Sequence, residues 1–273
     1  LVKVEGRLAR DSFPNVRVIH SRAETALNHL FVPESLTEIH INFPDPWFKT
    51  DHARRRLMQR DTLDAMVSRL QPNGSLYLAT DIIAYAEMSA ELLAATPGLT
   101  NQLASPWVNS LPGRVTTKYE ARARAEGRSC YYFAYRRNDV PAPAVPVIKD
   151  LDMPHMVFTT PLSLDDMRDR FEAFHHNDGD VHIGYSAVFR GEYTLLFEIH
   201  VNEPTISQHT ALLLTQRQVE NEYTLQLASF GHARPTEGVH AAVYALGSWL
   251  LSLHPDAQVV KQKLRPDVSA GAT

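Results

Sequence analysis

Asn42-Phe43-Pro44-Asp45-Pro46-Trp47-Phe48-Lys49 runs almost directly into His52, Arg54, Arg55 and Arg56, so a carboxylate, an indole and a knot of cations share one short stretch. The two prolines fix φ at Pro44 and Pro46 and push the residues before them, Phe43 and Asp45, toward extended backbone, which leaves Asp45 little freedom. The layout reads as a rigid acidic site beside an anion-binding surface. A Pro-rich turn ahead of a solvated basic helix start accounts for any one of these residues, but it does not require the Trp, the Pro-flanked Asp and the cations together. Trp47 has two readings, stacking on a base or packing under its own loop.

Such groups need elements to carry them. Val16 to His20, Glu38 to Phe43, Ser75 to Thr80 and Ser129 to Arg136 read as strands; Ala23 to Leu30, about Arg55 to Leu70, and Ile82 to Ala95 read as helices. This alternation predicts a largely parallel sheet covered by helices, an α/β fold in which ligands sit beyond the carboxyl ends of the strands. Asp45 and Asp81 both fall at such ends, so two carboxylates from different strands are expected at one crevice. Pro141, Pro143, Pro146 and Pro154 mark residues 139–154 as a semi-rigid linker between a first domain, 1–138, and a second, 155–273.

The second domain has a different pattern. Ser163 and Asp166 have capping-box spacing, and Leu164, Met167, Phe171 and Phe174 predict one helical stripe. Strands are expected over Val181 to Phe189, Tyr193 to Val201, Thr210 to Gln216 and Tyr223 to Phe230, with a last helix over Val239 to Leu253. Short loops between consecutive strands imply an antiparallel sheet with helices on one face, an α+β domain. Nine of the histidines lie in it, but only His175 and His176 adjoin, and no cysteine joins them; no metal site is expected.

Charge divides the chain in the same place. Residues 1–140 hold 18 Lys and Arg against 15 Asp and Glu, whereas the remainder holds 9 against 16. A polyanion would therefore be held by a local patch on the first domain rather than by net charge, and the acidic second domain is expected to serve stability or protein contacts. The lone Cys130 excludes an internal disulfide and a cysteine zinc cluster. No apolar run approaches the 18 or so residues of a membrane span, and no signal peptide opens the chain, so a cytoplasmic protein is expected.

Phe43 to Leu57 closely resembles the signature of the bacterial tRNA (guanine-N7-)-methyltransferase family. Leu76 to Asp81, Ala84-Tyr85-Ala86-Glu87, Thr117-Lys118-Tyr119-Glu120 and the aromatic run Tyr131 to Tyr135 are similar, in order, to its next strand, the helix after it, its late Thr-x-(Tyr/Phe)-Glu element and its last strand. The resemblance covers roughly residues 10–137. It implies a Rossmann-like class I methyltransferase sheet and methylation of N7 of a variable-loop guanine in tRNA, with S-adenosylmethionine as donor and tRNA as partner, without DNA or membrane. By the same resemblance Asp45 is catalytic and lies near the donor. Lys49, Asp81, Thr117, Lys118, Tyr119 and Glu120 bind the substrate nucleotide, with Thr117 and Glu120 reaching it from a loop. His52, Arg54, Arg55 and Arg56 hold RNA phosphates.

The chain also departs from the family. No Gly-x-Gly occurs among its 12 glycines, Arg22 stands where an aspartate is expected near the donor, and Glu24 is the substitute two residues on. With its Leu1 start, the sequence is expected to be a fragment whose main donor site lies upstream and which is inactive alone. The alternative is a non-catalytic tRNA-binding derivative that has lost the cofactor half.

Overall fold

The structure, a computed structural model, describes residues 2–11, 13–47, 55–230 and 232–265, with backbone alone at 2–5 and 9. It divides into two compact units, Leu1–Ile148 and Lys149–Thr273. None of the described helices is long and apolar enough to cross a membrane.

In the first unit, helices α1 (Val2–Asp11) and α2 (Ala23–His29) precede strand β1 (Leu36–Asn42). Helix α3 (Arg60–Arg69), β2 (Leu70–Thr80), α4 (Ile83–Ala94), β3 (Leu99–Asn101), α5 (Lys118–Ala125) and β4 (Tyr131–Arg137) follow. The sheet order is β1-β2-β4-β3. Only β1 and β2 are parallel; β4 runs back between β2 and β3, so the expected largely parallel sheet is a mixed one. Residues 16–20, expected as a strand, are irregular and mostly exposed, because a strand exists through its ladder and no neighbour offers one there.

Apolar periodicity places the core. Leu63, Met66 and Val67 of α3, with Leu93 of α4, bury against Ile41, Leu76, Leu78 and Phe133, while Ala123 of α5 meets Ala79 and Tyr132 in a smaller cluster. The helix expected from Arg55 begins only at Arg60, with Gln59 as its N-cap. Met58 is held outside it, its N–H donating to the buried Tyr85 hydroxyl at 3.2 Å. Pro72-Asn73-Gly74 bulges from β2: Leu36 faces Leu70, yet Glu38 already faces Ser75. A Cβ at Gly74 would stand 2.9 Å from the Gln71 carbonyl oxygen and 3.0 Å from that of Thr37, so this bulge requires glycine.

Arg69 is wholly buried at the end of α3. Its Nε donates to the Leu27 carbonyl at 2.9 Å, and Nη1 and Nη2 donate to the Val145 and Pro146 carbonyls at 2.9 and 3.0 Å. The Pro-rich segment is thereby tied to the first unit, to which the Ile148 N–H also bonds at Asn28 O, 2.9 Å.

The second unit is an antiparallel sheet, β5 (His155–Thr159), β6 (Phe174–Asp178), β7 (Val181–Arg190), β8 (Thr194–Asn202), β9 (Ser207–Gln216), β10 (Glu222–Leu227) and β11 (Gln258–Lys263). Its order is β11-β5-β10-β9-β8-β7-β6. Helix α7 (Glu237–Ser252) buries Val239, Val243, Leu246 and Leu250 among Phe158, Phe197 and Ile199. The short α6 (Leu164–Asp169) starts at a complete Ser163–Asp166 capping box and stops before the expected stripe does. Phe171 and Phe174 still bury, but as an aromatic cluster with Trp249, and Phe174 opens β6. His175 and His176 therefore lie on a strand, where neighbours face opposite sides. Strands β5, β6 and β11 were not anticipated.

Replacing Arg69 by Met removes hydrogen bonds to three carbonyls, that of Leu27 buried and those of Val145 and Pro146 part-buried. Chemical denaturation should show the first unit losing about 2–4 kcal/mol, with early hydrogen exchange at residues 145–148.

Candidate functional site

Parallel pairing brings the carboxyl ends of β1 and β2 to one edge of the first sheet, and Phe43 extends the pairing by donating its N–H to Ala79 O at 2.8 Å. Beyond that point the chain turns sharply. Phe43 and Trp47 have φ of 52° and 43°, left-handed values costly to residues with a Cβ. The sequence expected Phe43 to be extended; its own strand bond and Pro44 beyond it leave it to make the turn. Asp45 is exposed between these two strained residues.

Arg56 closes the loop. Its Nε donates to Pro46 O at 3.1 Å and its Nη2 to Trp47 O at 3.2 Å, while Nη1 lies 3.4 Å from Met88 Sδ. The expected phosphate contact is thus replaced by a structural one: the half-buried guanidinium donates to two carbonyls of the turn. Arg55 is exposed and stands over the Trp47 ring, 5.2 Å from its centroid, in a cation–π contact. Lys49, His52 and Arg54 lie outside the described residues.

Asp45, Glu24, Arg22, Trp47, Arg55 and Leu57 line one cavity of about 540 Å³. Glu24 is half-buried and paired with Arg22 at 3.0 Å, so the residue expected to replace the missing aspartate is held by the residue in the aspartate's place. The cavity supplies two carboxylates and an indole, groups that suit a sulfonium cation, but no glycine-rich run of N–H donors for the rest of such a donor. The residues present fit S-adenosylmethionine on one side only.

Asp81 does not line this cavity. Its carboxylate, with a side chain 14 % exposed, is paired with Arg128. The groups expected on a loop, Thr117 to Glu120, instead open α5: Thr117 is its N-cap, its hydroxyl accepting from the Glu120 N–H at 3.1 Å, and Lys118 and Tyr119 are exposed in its first turn. The Thr-x-x-Glu spacing is itself a capping signal. Glu120 is buried, with one oxygen 2.7 Å from Arg124 and the other, Oε2, without a hydrogen-bond partner. Arg124 also donates to the Tyr132 hydroxyl, which burial pushes up to about 12.

Two arginines went unanticipated. Arg114 donates to Asn42 Oδ1 at the end of β1 and stands 5.4 Å from the Tyr132 ring centroid. Arg128 follows Gly127, whose φ of 72° ends α5, and glycine after a helical run was the legible sign of that stop. In the second unit, His200 and His209 stack at 3.9 Å and His209 meets Glu198 at 2.6 Å. Among the described residues no three His, Cys, Asp or Glu side chains converge as metal ligands.

A mixed sheet with carboxylates gathered at one strand-end edge agrees with a methyltransferase class, and residues 1–133 match the family described as "Putative methyltransferase". More particularly, the curated relatives of this stretch include proteins named tRNA (guanine-N(7)-)-methyltransferase. That of Burkholderia ambifaria is 38 % identical over 130 residues, covering 48 % of this chain and 51 % of the relative. That of Treponema pallidum is 39 % identical over 132 residues (46 % and 50 %), and that of Rhodococcus jostii 40 % over 128 (46 % and 48 %). The chain spans about half the length of the curated relatives it matches.

Two substitutions separate structural from surface roles. Arg56→Ala should lower the stability of the first unit by about 1–3 kcal/mol through the loop hydrogen bonds it loses, while Arg55→Ala stays within about 0.5 kcal/mol. Thr117→Ala should cost about 1 kcal/mol and Thr117→Ser almost nothing, as expected of an N-cap. Urea titrations of the four variants check both statements.

Proposed function

We propose that the first unit is the substrate-binding half of a methyltransferase that acts on N7 of a variable-loop guanine in tRNA, in the cytoplasm, with S-adenosylmethionine as donor. The single observation that carries this reading is the gathering of the family-like segments: Asp45 and Asp81 follow neighbouring parallel strands, and α5, which Thr117 caps, packs through Ala123 on Ala79 and Tyr132. The order β1-β2-β4-β3, with its one antiparallel return, agrees with part of a Rossmann-like class I sheet.

Guanine N7 carries a lone pair, so its methylation needs no general base. S-adenosylmethionine supplies the methyl group from a sulfonium centre. Positive charge then develops on the purine, and fixed carboxylates stabilise it without reorganising at the moment of reaction. In this reading Asp45, immobilised by the Arg56-closed loop, acts on that charge. Asp81, with Thr117 and Glu120, holds the base edge. His52, Arg54 and Arg55 attract the backbone phosphates, and Lys49 and the exposed Lys118 and Tyr119 contact the substrate nucleotide. Glu24 contributes to donor binding.

No Gly-x-Gly occurs among the 12 glycines of this sequence, and a tRNA-binding chain without catalysis is the second reading. One assay separates the two. The protein expressed from the complete open reading frame that encodes the chain is incubated with unmodified tRNA and labelled donor, and 7-methylguanine is mapped by borohydride reduction and aniline cleavage. Label at a variable-loop guanine, abolished by Asp45→Ala with tRNA affinity largely retained, is the expected outcome. Binding without label favours the second reading, and label on another atom or RNA class refutes the first.

A further inference from the structure

We infer that Arg128 competes with the substrate guanine for Asp81 and so sets how strongly the site prefers that base; this rests on the reading that Asp81 holds the base edge. A guanidinium presents neighbouring N–H donors in one plane, and the N1–H and N2–H groups of guanine present the same pattern to a carboxylate. Arg128 occupies, through Nη1, the carboxylate that the guanine edge would use.

The geometry makes the exchange inexpensive. Arg128 is shared: Nη2 lies 2.6 Å and Nε 3.1 Å from Glu126 Oε2, while Nη1 meets Asp81. When a guanine takes Asp81, Glu126 keeps the guanidinium partnered, so no bare charge is left. The Arg128 side chain is 39 % exposed and has solvent to move into, whereas Asp81 is largely buried. The end of α5 depends on the main chain of this residue, whose N–H donates to Ala123 O at 2.9 Å, and not on its side chain. Removing the guanidinium leaves that stop in place.

The test compares binding of two unmodified tRNA transcripts that differ only in carrying guanine or adenine at the variable-loop position. The proteins are the wild-type chain, Arg128→Ala, Arg128→Lys, Asp81→Asn and the Asp81→Asn/Arg128→Ala double variant. The quantity read is the ratio of the two affinities, because a lost phosphate contact or a loosened fold lowers both alike. Arg128→Ala should raise the preference for guanine by up to about fivefold, the most a part-exposed ion pair is worth. Arg128→Lys should raise it less. Asp81→Asn should remove the preference, and in that background Arg128→Ala should add nothing, the signature of two residues acting through one contact. An unchanged ratio in Arg128→Ala, with Asp81→Asn still abolishing it, overturns the competition and leaves the guanine reading standing. Equal affinities in the wild type, or a preference that survives Asp81→Asn, overturn the guanine reading itself and this inference with it.

Discussion

The parallel pairing of β1 with β2 is the constraint on which the rest of the first unit depends. Parallel neighbours end at the same edge, so the chain must leave both strands there and cross back over the sheet between them. α3 makes that crossing, and the segment between β1 and α3 is the acidic and basic loop. Its position is a consequence of topology before it is one of chemistry. Phe43 shows the join: its N–H still belongs to the ladder, and its φ already belongs to the turn.

Arginine does two kinds of work in this unit, and counting cations does not tell them apart. Arg69 is buried and bridges α2 to the Pro-rich segment, Arg137 is buried and reaches Leu70 O, and Arg56 closes the Asp45 loop. Guanidinium suits this role because five donors on one plane satisfy several carbonyls at once. The charge available to a polyanion is correspondingly smaller than the composition suggests. Arg55, Lys118 and Arg122 are exposed.

Much of this fold was legible because periodicity reports burial. Helix α4, strands β1, β2 and β4, the β7 to β10 meander and α7 all carry strong apolar patterns and were expected within a few residues of their observed limits. Strand β11 carries none: all six of its residues are exposed, and it exists because β5 offers it a ladder. The prolines around Asp45 announced its rigidity, but nothing in the types of Phe43 or Trp47 announces a left-handed backbone, which is usually marked by Gly or Asn. The inward turn of Arg56 was equally invisible, since its carbonyl partners are created by a loop nine and ten residues away. Charge spacing located the site and could not assign its cations between ligand and scaffold.

Strand β5 lies between β10 and β11, so the first strand of the second unit is completed by its last two. A chain leaving the ribosome presents His155–Thr159 about a hundred residues before Gln258–Lys263, with one strand edge open until Glu222–Leu227 emerges and the other until β11 does. Such long-range closure is slow, because loop entropy is spent before the contacts that repay it form. Among the described residues the last strand of the first unit is available once Arg137 has emerged. That of the second unit waits for Gln258–Lys263, and in the interval its apolar strands are most exposed to misassembly.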